Sequence, residues 1–215
     1  MIASDVAVQF IVTSAVLAAI PGPDNLFVLM QSALNGSRKG VAVTLGLCTG
    51  LLAHTTAVAF GVAAVFQASA TAFTALKLVG AAYLLYLAYG AFKAGRGTGD
   101  AGAQDSAVEA APEASAWALF ARGIVMNITN PKVAIFFLAF LPQFVKTDAG
   151  PVPLQVAQLG ALFIATTLVV FSGIAMASGK LSVWLRRSPR AIARMNTVAG
   201  CVFVGLAAKL ATAQR

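Results

Sequence analysis

Charge is what this sequence has least of. Only 10% of its 215 residues are Asp, Glu, Lys or Arg, where soluble domains carry about a quarter. None stands from Leu45 through Leu76, nor from Ala149 through Gly179. That scarcity excludes a soluble fold, which needs a charged surface. Cysteine is scarce too. Cys48 and Cys201 are the only two and both lie inside apolar runs, so no disulfide framework follows. With a single histidine, His54, and a single carboxylate deep within the apolar runs, Asp24, there are too few ligands for a metal transporter. No metal, cofactor or enzymatic constellation is expected. The N-terminal MIASDVAVQF has no basic leader and no small-residue cleavage site, so the first hydrophobic segment is expected to be kept.

What the chain has is oil-soluble length: 59% hydrophobic residues and a mean hydropathy of +0.85. Six apolar segments stand out, at about 6–31, 41–66, 70–92, 117–145, 152–178 and 192–211. The runs are continuous and do not alternate, so they predict helices and not a barrel. The expected fold class is an all-α integral membrane protein with six transmembrane helices.

The formal charge of +8 would suggest nucleic acid in a soluble chain, but here the basic residues sit between apolar runs and set topology. Nucleic-acid binding is not expected. The loops after segments one, three and five hold Arg38, Lys39, Lys93, Arg96, Arg122, Lys180, Arg186, Arg187, Arg190 and Arg194. The opposite side has Lys146, Lys209 and Arg215, with Lys77 near its edge. Both termini are therefore expected to face away from the cytoplasm. Arg186, Arg187, Arg190 and Arg194 are expected to meet anionic headgroups of the bilayer.

Residues 95–116 differ in kind, with four of the seven acidic residues, no aromatic side chain and many Gly, Ala and Ser. They predict a flexible cytoplasmic linker between a first three-helix unit, 1–94, and a second, 117–215. The two units resemble each other. Thr55, Thr56 and Phe60 match Thr166, Thr167 and Phe171; VGAAYLLYLA matches AGCVFVGLAA; PGPDNLFVL matches TNPKVAIFFL, with Asp24 opposite Lys132. Three spans per unit put the second upside down relative to the first, an inverted repeat.

Proline removes a backbone hydrogen bond and clashes one turn back. Pro21, Gly22 and Pro23 are expected to break the first segment, and Asn130-Pro131-Lys132 the fourth. Asp24 and Asn25 then begin a half-helix, where amide groups are unpaired and the dipole end is positive. Asp24 lies 14 residues from Arg38 and Lys132 lies 10 from Arg122, depths of roughly 21 Å and 15 Å if helical. Ionisable groups so deep are functional or paired by default. A stapling Asp24–Lys132 ion pair and a substrate site stand side by side at this point. An Asp, a Lys, exposed amide groups and nearby Phe27, Phe136 and Phe137 would suit a small zwitterion, an amino acid. His54 is either a proton relay or a polar residue satisfied by a neighbouring helix. Gly46 and Gly50 form a GxxxG pair, for which internal close packing is favoured over a dimer seam; a homodimer is left open.

These residues carry a resemblance. AIPGPDNLFV, GLCTGLLAH, GAAYLLYLAY and NPKVAIFFLAFLPQFV, in spans one to four, resemble the LysE superfamily of amino-acid exporters, and most of all its RhtB-type homoserine/threonine efflux branch. The likeness covers nearly all of the chain except the linker. It implies a bacterial inner-membrane protein that exports amino acids in exchange for protons. The family motif falls on Pro21, Gly22, Pro23, Asn130, Pro131 and Lys132, with Asp24 and His54 at positions that hold polar residues in the family. The expected substrate site is Pro21, Gly22, Pro23, Asp24, Asn25, Asn130, Pro131, Lys132 and Phe136, and the proton-coupling candidates are Asp24, His54 and Lys132. One intramembrane acid offset by one base favours a small neutral amino acid such as threonine, homoserine or leucine. Two rivals remain. A membrane thiol–disulfide relay would want cysteines beside the breaks, which hold Asp24 and Lys132 instead; an uncoupled channel would conduct without exchange.

Overall fold

Three of the described helices start directly at a proline, and two of these starts are sharp bends inside an apolar segment. The computed structural model describes residues 2–68, 70–96, 114–146 and 149–212. Helix α1 (Ser4–Ala19) stops before Pro21, and α2 (Pro23–Asn35) sets off at 62° to it. Gly36, at φ +86° where L side chains rarely go, turns the chain into α3 (Ser37–Ala68). Helix α4 (Ala70–Gly95) ends the first part of the described chain. After residues 97–113 comes α5 (Ala116–Thr129), N-capped by the Ser115 hydroxyl, which accepts from the Ala118 amide. The proposed linker therefore lies almost wholly outside the described residues.

The second bend, 51°, separates α5 from α6 (Pro131–Ile135). From there the helix changes its winding twice, to a π turn over Phe136–Phe140 and a 3-10 turn over Leu141–Phe144. Pro142 falls in the second of these and removes one more amide. Helices α7 (Val152–Arg187) and α8 (Pro189–Thr212) complete the fold. Among the described residues, four helices are long and apolar enough to cross a membrane, or up to six spans if each bent pair is one. The described residues are all-helical and multi-pass, and large apolar side chains such as Leu34, Phe60, Val169 and Met176 point outward, as lipid permits.

Small residues set the close crossings. A Cβ on Gly46 would collide with the Phe120 carbonyl, and one on Gly123 with the Val43 carbonyl, so α3 and α5 touch backbone to backbone. A Cβ on Gly50 would fall 2.7 Å from that of Asn127. The GxxxG pair thus packs inside the molecule. Gly160 of α7 meets Thr55 of α3, and Gly200 of α8 meets Phe92 of α4.

The bundle has a basic end. Lys39 donates to the Ala114 carbonyl at 2.7 Å, the Arg122 guanidinium lies 4.8 Å over the Phe27 ring, and Gly95 packs on Ala193 and Thr197. The exposed Tyr89, Trp117 and Trp184 sit near the same end, the position of an interfacial aromatic belt. The opposite end is closed by Gln155, whose side chain accepts from the Lys146 amide and donates to the Lys146 and Gly150 carbonyls, and by Lys209 over Phe144 at 4.6 Å. Between the ends lie two separate apolar clusters. The larger holds Phe10, Phe136, Phe137, Phe140, Phe144 and Phe163; the smaller holds Phe27, Val28, Val43, Leu47 and Phe171.

Candidate functional site

Without their amide hydrogens, Pro21 and Pro23 leave the carbonyls of Leu17 and Ala19 without the usual helical donor. The chain mends the first break from within itself. The Ile20 amide keeps its ordinary helical bond to Val16 at 3.1 Å, and the Ala18 carbonyl, orphaned because the extended Gly22 does not reach it, accepts from the Asn25 side chain at 2.6 Å. Gly22 is extended and sits where a Cβ would stand 3.3 Å from the Lys132 ammonium nitrogen. The absent side chain lets that ammonium lie against the break. Asp24 then falls in the first turn of α2, where the helix dipole favours a carboxylate.

Pro131 orphans the carbonyl of Asn127 in the same way, and the second break is mended partly from outside. That oxygen accepts from the Asn130 amide at 3.1 Å and from His54 Nε2 of α3, also at 3.1 Å. A carbonyl only accepts, so the ring carries a proton on Nε2. Asn130 does two jobs. Its Oδ1 accepts from the Lys132 amide at 3.0 Å, capping α6, and its Nδ2 donates to Asp24 Oδ2 at 2.9 Å. One side chain therefore joins the two breaks.

Asp24 and Lys132 are near enough to interact, yet no hydrogen bond joins them. Asp24 Oδ1 is buried and accepts none. Both residues face a cavity of about 20 Å³, room for one water-sized group. Asn127 and Thr167 complete its polar lining, and Leu17, Leu51, Val133, Phe163 and Phe171 form its walls. These walls come from both apolar clusters, so the cavity marks where the two meet. The Asn127 Oδ1 and Thr167 Oγ1 atoms are also buried without partners. Thr167 stands apart from its kind. The hydroxyls of Thr44, Thr49, Thr55, Thr129, Thr166, Thr197 and Thr212 all donate to the carbonyl four residues back, and that of Thr167 does not.

Paired helix breaks meeting at one polar cavity suggest a membrane translocator, and comparison with known proteins decides the family. Residues 15–214 match the LysE type translocator family. This chain belongs to that family. Among its relatives is the homoserine/homoserine lactone efflux protein of Salmonella typhimurium, 34% identical over 205 residues, 95% of each chain. A Vibrio cholerae membrane protein is 30% identical over 95% of this chain and 96% of its own. The leucine efflux protein of Klebsiella pneumoniae is 28% identical over 95% and 94%. No solved structure matches.

Of the positions expected to form the site of this LysE family member, Asp24 and Lys132 line the cavity. Asn25 and Asn130 support it from behind, and Pro21, Gly22, Pro23 and Pro131 shape the breaks. His54 is a neighbour's hydrogen-bond donor, with its ring 5.7 Å from that of Phe137. Phe136 is elsewhere, 5.1 Å from Phe140 and 5.0 Å from Phe163 within the larger cluster, and Phe27 serves Arg122. The aromatic walls are Phe163 and Phe171. Sequence reasoning also passed over Asn127 and Thr167. The available signal was a polar residue inside an apolar run, and for Asn127 a spacing of three from Asn130. Cys48 is buried in α3 and Cys201 exposed on α8, both as free thiols.

Proposed function

We propose that this protein exports small neutral amino acids, such as threonine, homoserine or leucine, across a bacterial inner membrane in exchange for protons. The observation that carries this is a single cavity where both helix breaks converge, holding an acid and a base that are not bonded to each other. The named efflux relatives act on homoserine, its lactone and leucine, none with a charged side chain. A cavity of about 20 Å³ cannot hold an amino acid, so this is a closed state and entry requires the surrounding helices to move.

Residues 1–94 and 117–215 act as inverted repeats rocking about the site. The pattern of packing supports this: exchanging the repeats turns the α3–α5 contact into α7–α1, and maps α3–α7 and α4–α8 onto themselves. Both termini face the periplasm, with the basic end in the cytoplasm. Asp24 and Lys132 carry the coupled proton, and His54 holds the second break. The test is counterflow in proteoliposomes, with labelled homoserine or leucine followed with and without a pH gradient. Exchange that responds to the gradient, reduced at least about tenfold in Asp24→Asn and Lys132→Ala variants that still insert, is the expected outcome. Wild-type exchange in both variants would remove these residues from the site, and conductance without exchange would make the protein a channel.

A further inference from the structure

Three buried oxygens without partners belong to residues lining one cavity: Asp24 Oδ1, Asn127 Oδ1 and Thr167 Oγ1. Each comes from a different helix, α2, α5 and α7. Each residue is at least nine-tenths buried, at 5%, 2% and 4% exposure. Unpaired buried acceptors are rare, and each demands an explanation. Asn25, Ser14 and Gln143 also carry one, but none of these residues lines the cavity.

We propose that Asp24, Asn127 and Thr167 form a cradle for a primary ammonium group, the part of the substrate that this site recognises first. This rests on the transport function proposed above and adds the chemistry by which the substrate is chosen. Two of the oxygens can only accept, and the third belongs to a hydroxyl free to rotate. An ammonium presents three N–H donors and is about the size of the space available. The carboxylate supplies the opposite charge, which makes its hydrogen bond about twice as strong as a neutral one. The Lys132 ammonium on the same lining must draw away from Asp24 as the substrate's ammonium enters.

Local structure prepares each acceptor. Asn130 occupies the far oxygen of Asp24 at 2.9 Å, leaving Oδ1 for the cavity. Gly50 gives the Asn127 side chain room against α3. The Thr167 hydroxyl forgoes the bond to the preceding turn that the adjacent Thr166 makes. The apolar walls beyond suit a short uncharged side chain. The cradle makes no demand on the carboxylate end, so a ligand keeping its ammonium and lacking a free carboxylate should still bind. One that exchanges ammonium for hydroxyl should not.

The experiment uses the full chain and two separate readouts. In detergent, thermal stabilisation is measured with homoserine, with homoserine lactone (no free carboxylate) and with 2,4-dihydroxybutyrate (no ammonium). In proteoliposomes, the same three compete with labelled homoserine. Homoserine and its lactone should act within a few-fold of each other, and the hydroxy acid should be at least about tenfold weaker in both assays. Thr167→Val, which keeps the shape, should weaken both ammonium ligands about tenfold, and Thr167→Ser should restore them. Equal action by homoserine and the hydroxy acid, or an unchanged Thr167→Val, would overturn the cradle. Stabilisation without counterflow would overturn the exporter and leave the cradle standing; counterflow that ignores the ammonium would do the reverse; neither signal would sink both.

Discussion

The two breaks solve one chemical problem in opposite ways. At the first, two prolines strip the end of α1, and the repair is local: Asn25, on the adjoining half-helix, bonds the Ala18 carbonyl seven residues back. At the second, one proline strips the end of α5, and the repair is borrowed, since His54 arrives from α3 across 73 positions of sequence. After the first break the chain resumes a regular helix of 13 residues; after the second it manages five before unwinding into π and 3-10 turns. A break mended from within keeps its shape wherever it moves. A break mended by a neighbour reports where that neighbour is.

That contrast can be broken at several points. The most damaging change should be Gly46→Ala, which drives a methyl group into the Phe120 carbonyl and lifts α3 off α5, withdrawing His54 from the second break. A loss of about 3 kcal/mol is expected in thermal unfolding, the upper end for overpacking. Asn130→Ala should follow at about 2 kcal/mol, because it removes the α6 cap and the bond to Asp24 together. His54→Leu and Asn25→Ala each delete one bond to an orphaned carbonyl and should cost about 1 kcal/mol apiece. Their coupling is the sharper test. His54→Leu combined with Asn130→Ala should be non-additive, since both side chains act on one break; Asn25→Ala combined with His54→Leu should add. Additivity in the first pair would end the idea that α3 props the second break. Smallest should be Gly22→Ala, which meets only the movable tip of Lys132 at 3.3 Å: under about 0.5 kcal/mol in stability, with a measurable fall in exchange rate.

Both breaks were legible in the sequence because proline acts through a missing hydrogen that no tertiary context replaces. The spans were legible from run length, although α7 runs on to Arg187, beyond the apolar limit at 178, because a helix that has satisfied its own backbone need not end where the hydrocarbon does. The inward face was not legible. Repeat matching placed Thr56 and Phe60 opposite Thr167 and Phe171, yet Phe60 is 75% exposed and Phe171 lines the cavity. In a helix apolar all round, nothing in the residue pattern distinguishes lipid from core. The unwinding after Ile135 was hidden for a similar reason: FFLAF suits an α-helix as well as a π turn, and only Pro142 hints at the change.

The meeting of two apolar clusters at the cavity has a mechanical consequence. A canal lock is shut by two gates in series, one on each side of its chamber. Here the aromatic mass around Phe10 and Phe136 lies between the cavity and the Gln155 end, and the Phe27–Phe171 group lies between the cavity and the basic end, with α1, α3 and α7 running through both. Loosening one mass exposes the cavity toward its own end and leaves the other packed. The polar centre thus has one closure on each side, and the two are unequal in thickness.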